Sequence, residues 1–179
     1  MERAPAIRCI SVPPAGSGCS DMLKYRIIAF GTMSESFYRE AFDEYARRFG
    51  GRLTVTELKE CRLPRDPAPR EIAAALEEEA DRMLAAVPKR AYTVALCVEG
   101  TEVPSEQLAV LMESRANGGD SEVCFLIGSS YGLSLRVKEA ADLRLSLSKL
   151  TLPHQLARVV LAEAIYRTEE IRRGSAYHK

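Results

Sequence analysis

Ser146-Leu147-Ser148-Lys149-Leu150-Thr151-Leu152-Pro153-His154 alternates apolar and hydroxyl side chains and ends in a proline. Hydroxyls and free backbone amides in such a loop offer donors and acceptors, and its leucines offer walls for a flat apolar ligand. Pro153 has no N–H and a preset φ, which suits the first turn of a helix. The helix it opens should run to Arg172-Arg173-Gly174, leaving the tail Ser175-Ala176-Tyr177-His178-Lys179 with a phenol, an imidazole and an ammonium group. A second loop, Gly128-Ser129-Ser130-Tyr131-Gly132, follows an apolar run. It is neither a GxGxxG fingerprint nor a phosphate loop, whose lysine it lacks, and no acidic ribose contact follows about 20 residues on. That argues against a dinucleotide enzyme. On type alone its glycines read as turn residues, and His154 as part of a helix start.

The elements that must carry these loops follow from periodicity. A strand at 24–30 precedes Gly31-Thr32 and a helix at 34–49, with Phe37, Ala41, Tyr45 and Phe49 at four-residue spacing. A strand at 53–58 leads into a proline-bearing loop and a helix at 70–86. That helix sets Ile72, Leu76, Ala80, Met83 and Leu84 on one face, and Glu77-Glu78-Glu79 mostly on a solvated one. Near-continuous apolar runs at 91–98 and 122–127 suit strands covered on both sides. A helix at 104–116 lies between them, and a short helix at 134–141 precedes an uneven stretch to Ser148. The class is α/β, a mostly parallel sheet with helices on both faces. In such sheets ligands gather beyond the carboxyl ends of strands. The candidate loops are therefore Glu99-Gly100, 128–132 and 147–152.

On a helical wheel of the last helix, Leu156, Val160 and Ile171 share a side with Glu163 and Arg167, while Leu161 and Ile165 lie opposite. A helix apolar on two sides is expected to be covered on two sides, by the sheet and by a second subunit. Glu163 and Arg167 are i,i+4 partners. Two readings stand: an internal ion pair, or an arginine aimed into a site at a dimer interface.

Composition sets bounds. Charges balance at 25 basic and 25 acidic residues, so an RNA partner would have to be met by a local basic patch. No apolar run reaches the ~20 residues of a membrane span, which leads us to expect a soluble protein. Cys9, Cys19, Cys61, Cys97 and Cys124 form no CxxC pair and no ligand spacing with the two histidines, so no metal is expected. Cys97 and Cys124 sit in strand-like runs and read as buried, inert thiols, in keeping with a reducing cytoplasm. Residues 1–21 carry Pro13-Pro14-Ala15-Gly16-Ser17-Gly18 and little periodicity. They read as a disordered extension, with Met22 as the expected biological start and residues 22–179 as one domain.

Together, the Ile-Gly-x-x-x-Gly-Leu loop, Leu-Ser-Lys-Leu-Thr-Leu-Pro-His-Gln, the Ala-Glu-Ala-Ile-Tyr-Arg helix and the terminal Tyr-His-Lys resemble one family. It is the ribosomal RNA large subunit methyltransferase H family (RlmH, or YbeA), of the SPOUT class. The likeness spans about Leu23 to Lys179, including Ala29-Phe30-Gly31 and Glu44-Tyr45-Ala46-Arg47-Arg48-Phe49. The resemblance implies an α/β fold with a C-terminal trefoil knot and a homodimer that binds S-adenosylmethionine. It also implies methylation of N3 of a pseudouridine in 23S rRNA on the assembled ribosome, in the cytoplasm. It assigns cofactor contacts to Leu96, Gly128, Leu147, Ser148, Lys149, Leu150, Thr151 and Leu152. His178 and Tyr177 become the catalytic candidates, His178 to assist deprotonation of the imide nitrogen, directly or by orienting the base, and Tyr177 with Lys179 to grip RNA. Arg158, Arg167, Arg172 and Arg173 become candidates for phosphate contacts, with a structural role as the alternative for some of them. Many members carry a second glycine where this chain has Ser129. If that position needs φ > 0, a serine there costs about 1 kcal/mol. The alternative reading is a ribosome-associated binding module that kept the fold and lost catalysis.

Overall fold

The computed structural model describes residues 22–175 and Tyr177; the expected disordered extension at 1–21 and the expected roles of His178 and Lys179 lie outside the described residues. Five strands, β1 (Lys24–Phe30), β2 (Leu53–Leu58), β3 (Tyr92–Thr101), β4 (Glu122–Ile127) and β5 (Leu143–Leu145), form one sheet in the order β2-β1-β4-β3-β5. Every pairing is parallel. Between them run α1 (Ser36–Arg48), α2 (Pro69–Ala86), α3 (Ser105–Asn117) and α4 (Leu135–Ala140), and α5 (His154–Arg172) closes the order.

Side chains alternate across each strand, so one strand serves two cores. Tyr25, Ile27 and Ala29 of β1 join Val123, Phe125 and Ile127 of β4 in the core under α1, α3 and α5. Their neighbours Ile28, Phe30, Cys124 and Leu126 join Ala80, Met83 and Val137 in the core under α2 and α4. Beyond Lys24 and the Arg26–Glu122 pair at the strands' starts, both strands are therefore apolar, and burial pushes the Cys124 thiol up to about 12. Of the expected α1 stripe, Phe49 is in the core and Tyr45 packs against it, whereas Phe37 is exposed and Phe42 is buried.

Both ends of α5 are fastened by buried charge. At its start, the fully buried Arg158 donates to Glu57 Oε1 (2.8 Å), Phe30 O and Gly31 O (2.7 Å), joining the helix to the carboxyl ends of β1 and β2. At its end, Glu169 accepts from Tyr25 Oη (2.5 Å) and pairs with Arg172, whose Nε also binds Glu113 (2.8 Å). Burial, then the neighbouring Glu169 carboxylate, holds the Tyr25 phenol well above its ordinary range. Arg158 and Arg172 were expected to reach RNA phosphates, and that expectation is corrected. Their guanidinium groups are 1% and 6% exposed and are bound inside the fold.

Two boundaries differ from expectation. β3 continues through Glu99-Gly100 to Thr101 instead of ending at Val98. Both Leu96 and Thr101 register with Leu145, so the four residues between them bulge from the ladder. A side chain at Gly100 would meet Leu145 C at 2.6 Å, which explains the glycine. The uneven stretch after α4 contains β5, only three residues long and too short for a period to show. Its start is tied down by Asp142, which accepts from both Thr93 N (2.8 Å) and Thr93 Oγ1 (2.6 Å).

Arg158→Met keeps the apolar stem but removes a charged donor from Glu57 and from two carbonyls. Unfolding free energy should fall by about 2–4 kcal/mol in urea titration, since hydrogen bonds to a buried charge are among the strongest. A loss under ~0.5 kcal/mol would show the contact to be incidental.

Candidate functional site

From β3 the chain turns to α3 on one face of the sheet, and from β4 it goes on to α4 on the other. Neighbouring strands whose connections diverge leave a crevice over their carboxyl ends. A cleft of about 610 Å³ opens there, walled by the β3 bulge, the 128–133 loop, the 146–153 loop and the first turn of α5. The comparable gap over β1 and β2 receives the Arg158 guanidinium.

The 128–132 wall is a tight turn, with Gly132 N donating to Ser129 O (2.9 Å) and Gly132 at φ +84°. A Cβ on Gly128 would stand 2.2 Å from the backbone of Gly132, so only glycine allows this closure. Ser129 does not have positive φ, and the expected strain is absent. Its hydroxyl donates instead to Glu79 Oε2 (2.7 Å). Glu79 is only 4% exposed, which corrects its placement on a solvated face.

The 146–152 wall is ordered by its own serines. Ser146 N donates to Thr101 O (3.0 Å), Ser146 Oγ to Ser148 O (2.9 Å), and Leu150 N to Ser148 Oγ (3.0 Å). These bonds occupy the serine hydroxyls, while Leu147, Leu150 and Leu152 of this wall line the cleft, a surface suited to a flat heterocycle. Leu150 is 74% exposed at the rim.

Of the eight positions expected to touch a cofactor, seven line this cleft; Lys149 does not, and its Nζ lies 3.8 Å from Glu102. Fourteen other residues line it, among them four with a thiol, an imidazole or a charge: Cys97, Glu99, Lys138 and His154. The bulge supplies the first two, and sequence offered no signal for it beyond Gly100. Cys97 is half-buried at the cleft, not sealed in the core, although burial still raises its thiol. Glu99 and Lys138 pair across the mouth at 2.5 Å, which lowers the carboxyl.

Arg167 binds Glu163 at 2.5 Å, in keeping with the internal-pair reading, and its guanidinium also lies 5.2 Å over the Tyr177 ring. Tyr177 stacks edge-on against Tyr166 (4.9 Å), so this part of the tail lies along α5. Arg173 is exposed and close to Glu170 (3.3 Å). Among the described residues, no group of three or more His, Cys, Asp or Glu could hold a metal ion. No helix among them is long and apolar enough to cross a membrane.

Residues 23–178 match the sequence model of the family described as "Predicted SPOUT methyltransferase". The chain belongs to this family. A relative from Streptococcus gordonii named "Ribosomal RNA large subunit methyltransferase H" is 38% identical over 88% of this chain and all of its own length. A relative of the same name from Streptococcus thermophilus is 40% identical, with the same coverage. Among solved structures, a methylase family protein from Neisseria gonorrhoeae aligns with a TM-score of 0.48 at 18% identity, covering 87% of this chain and 86% of its own. By the family match, the α/β sheet is that of a SPOUT methyltransferase.

Gly128→Ala forces backbone apart in a closed turn and should cost about 1–3 kcal/mol of stability. Ser130→Ala, exposed two residues on, should change it by less than ~0.5 kcal/mol. Thermal unfolding of both variants checks this, and equal effects would contradict the close packing of the turn.

Proposed function

We propose that this enzyme transfers a methyl group from S-adenosylmethionine to N3 of a pseudouridine in 23S rRNA, acting as a homodimer on the assembled ribosome in the cytoplasm. The observation that carries the reading is the gathering of seven of the eight family-assigned cofactor positions around one cleft. The printed names of the relatives support the RNA substrate. The C-terminal trefoil knot implied by the family resemblance belongs to the same reading.

The cleft fits the cofactor on its own chemistry. Its volume lies within the range of small-molecule sites, its walls include Leu96, Leu147 and Leu152, and Gly128 keeps the floor free of side chain. When bound, S-adenosylmethionine supplies an electrophilic methyl group on a sulfonium. The protein's work is then to hold the donor bent in the cleft and to bring the imide nitrogen in line with it, the step in which positioning contributes most of the rate. That nitrogen must lose its proton. His178 is assigned to assist, and a placed base contributes on the order of 10²–10⁴-fold. Tyr177, Lys179, Arg167 and Arg173 are assigned to RNA. The zero net charge points to recognition through a small patch and ribosome shape instead of bulk attraction. The half-buried Leu156, Val160 and Ile171 on α5 are consistent with cover by a second subunit. Ser129 is free of positive φ, so the backbone strain that motivated the non-catalytic alternative is absent.

Labelled methyl transfer to ribosomes lacking the modification, followed by nucleoside mass spectrometry, should yield N3-methylpseudouridine. His178→Ala should cut turnover by at least ~10²-fold while S-adenosylhomocysteine binding stays within about threefold. Equal loss of turnover and binding would make that histidine structural, and no product on ribosomes would refute the proposed reaction.

A further inference from the structure

Glu79 is a buried carboxylate for which catalysis has no use. It sits on α2, on the far side of the 128–132 turn from the cleft, and is 4% exposed. Its two bonded partners are neutral donors: Cys61 N at 2.9 Å and Ser129 Oγ at 2.7 Å. A carboxylate held inside a protein by neutral donors carries a large desolvation cost, so its retention calls for a physical reason. The two donors lie on segments that leave the sheet from different strands, Cys61 after β2 and Ser129 after β4. Glu79 therefore bridges them across the end of β1, which lies between those strands.

The same helix also holds the segment that follows the turn. Arg136 on α4 binds Asp81 Oδ1 at 2.7 Å and Glu77 O at 2.9 Å. The turn and the helix after it are thus each tied to α2, once through a part-buried contact and once through an exposed one. The Ser129 side chain is turned to Glu79, and residues 128–132 line the cleft.

We propose that Glu79 is a positioning residue of the cofactor cleft. Through Ser129 it holds the 128–132 turn in the closed shape that receives the methyl donor. Ser129 is the donor half of that latch. Glycine at 129 would offer no hydroxyl, so the latch is a feature of this sequence and not of the fold alone. The inference rests on the cleft being the S-adenosylmethionine site. The order of the turn itself does not.

Two measurements on the full-length protein test it. The first is ligand-free hydrogen exchange at the amides of 129–132, compared with the β1–β4 core. The second is calorimetric titration with S-adenosylhomocysteine. Ser129→Ala should speed exchange in the turn and weaken binding, each on the order of 10-fold as a charged hydrogen bond is lost, with core exchange unchanged. Glu79→Ala should act alike, and the double variant should bind no more weakly than either single one, because both remove the same contact. Glu79→Gln can accept from Cys61 N while donating to the serine oxygen, so it should retain more affinity than Glu79→Ala. Wild-type exchange at 129–132 in Ser129→Ala overturns the proposal, as do additive losses in the double variant. If Glu79→Ala does not fold, the Ser129→Ala and Glu79→Gln comparison decides. Should the unaltered protein fail to bind S-adenosylhomocysteine, the cofactor reading fails, and the latch is judged by exchange alone.

Discussion

The Arg158 guanidinium, closed inside the protein at the carboxyl ends of β1 and β2, is the contact on which the rest of the architecture depends. An arginine so placed loses its hydration, and burial lowers its affinity for its proton, an effect that Glu57 opposes. Its Nε has no partner among the described residues. The remaining donors reach one carboxylate and two main-chain carbonyls. Because Arg158 is one turn from the start of α5, the contact fixes Pro153 and His154, and with them the end of the 146–152 loop. The helix cannot slide along the sheet without breaking bonds to two strands at once.

From that anchor the cleft follows. β5 pairs with β3 through only three residues, and on its own would be a weak edge. Asp142 at its start and Ser146 N at its end hold it in place, while α5 secures the chain beyond. The bulge between Leu96 and Thr101 then has a fixed strand to lean on, and Gly100 lets the two backbones meet. On the opposite wall, Gly128 and Gly132 close the turn. Rigid strand ends carry loops whose shape is set by backbone contacts, which suits a reaction that needs alignment more than a reactive side chain.

Much of this was legible in the residues. Strand limits at 24–30, 53–58 and 122–127 match; for the central strands β1 and β4 the reason is that mostly apolar runs of that length have few other solutions in an α/β protein. The three loops nominated from strand ends all border the cleft, since that choice follows from topology alone. The resemblance added which of their residues face inward, and Lys149 is the exception because the loop turns its side chain toward Glu102. The misses have physical causes. Arg158 and Arg172 look like solvent-facing cations in a helix of mixed charge, and only the packed sheet supplies the buried acids and carbonyls that claim them. Glu79 sits in a run of three glutamates, so its neighbours disguised it. The role of Ser129 depends on a contact fifty residues back, which no local pattern carries.

The most direct test of the account is a crystal structure of the protein grown with S-adenosylhomocysteine. The account predicts the ligand between the Gly128 turn and the 147–152 loop, beyond the ends of β3 and β4, with Arg158 still closed on Phe30 and Gly31. A ligand seated over β1 and β2, or an Arg158 swung out to meet it, would contradict both the assigned site and the anchor that positions it.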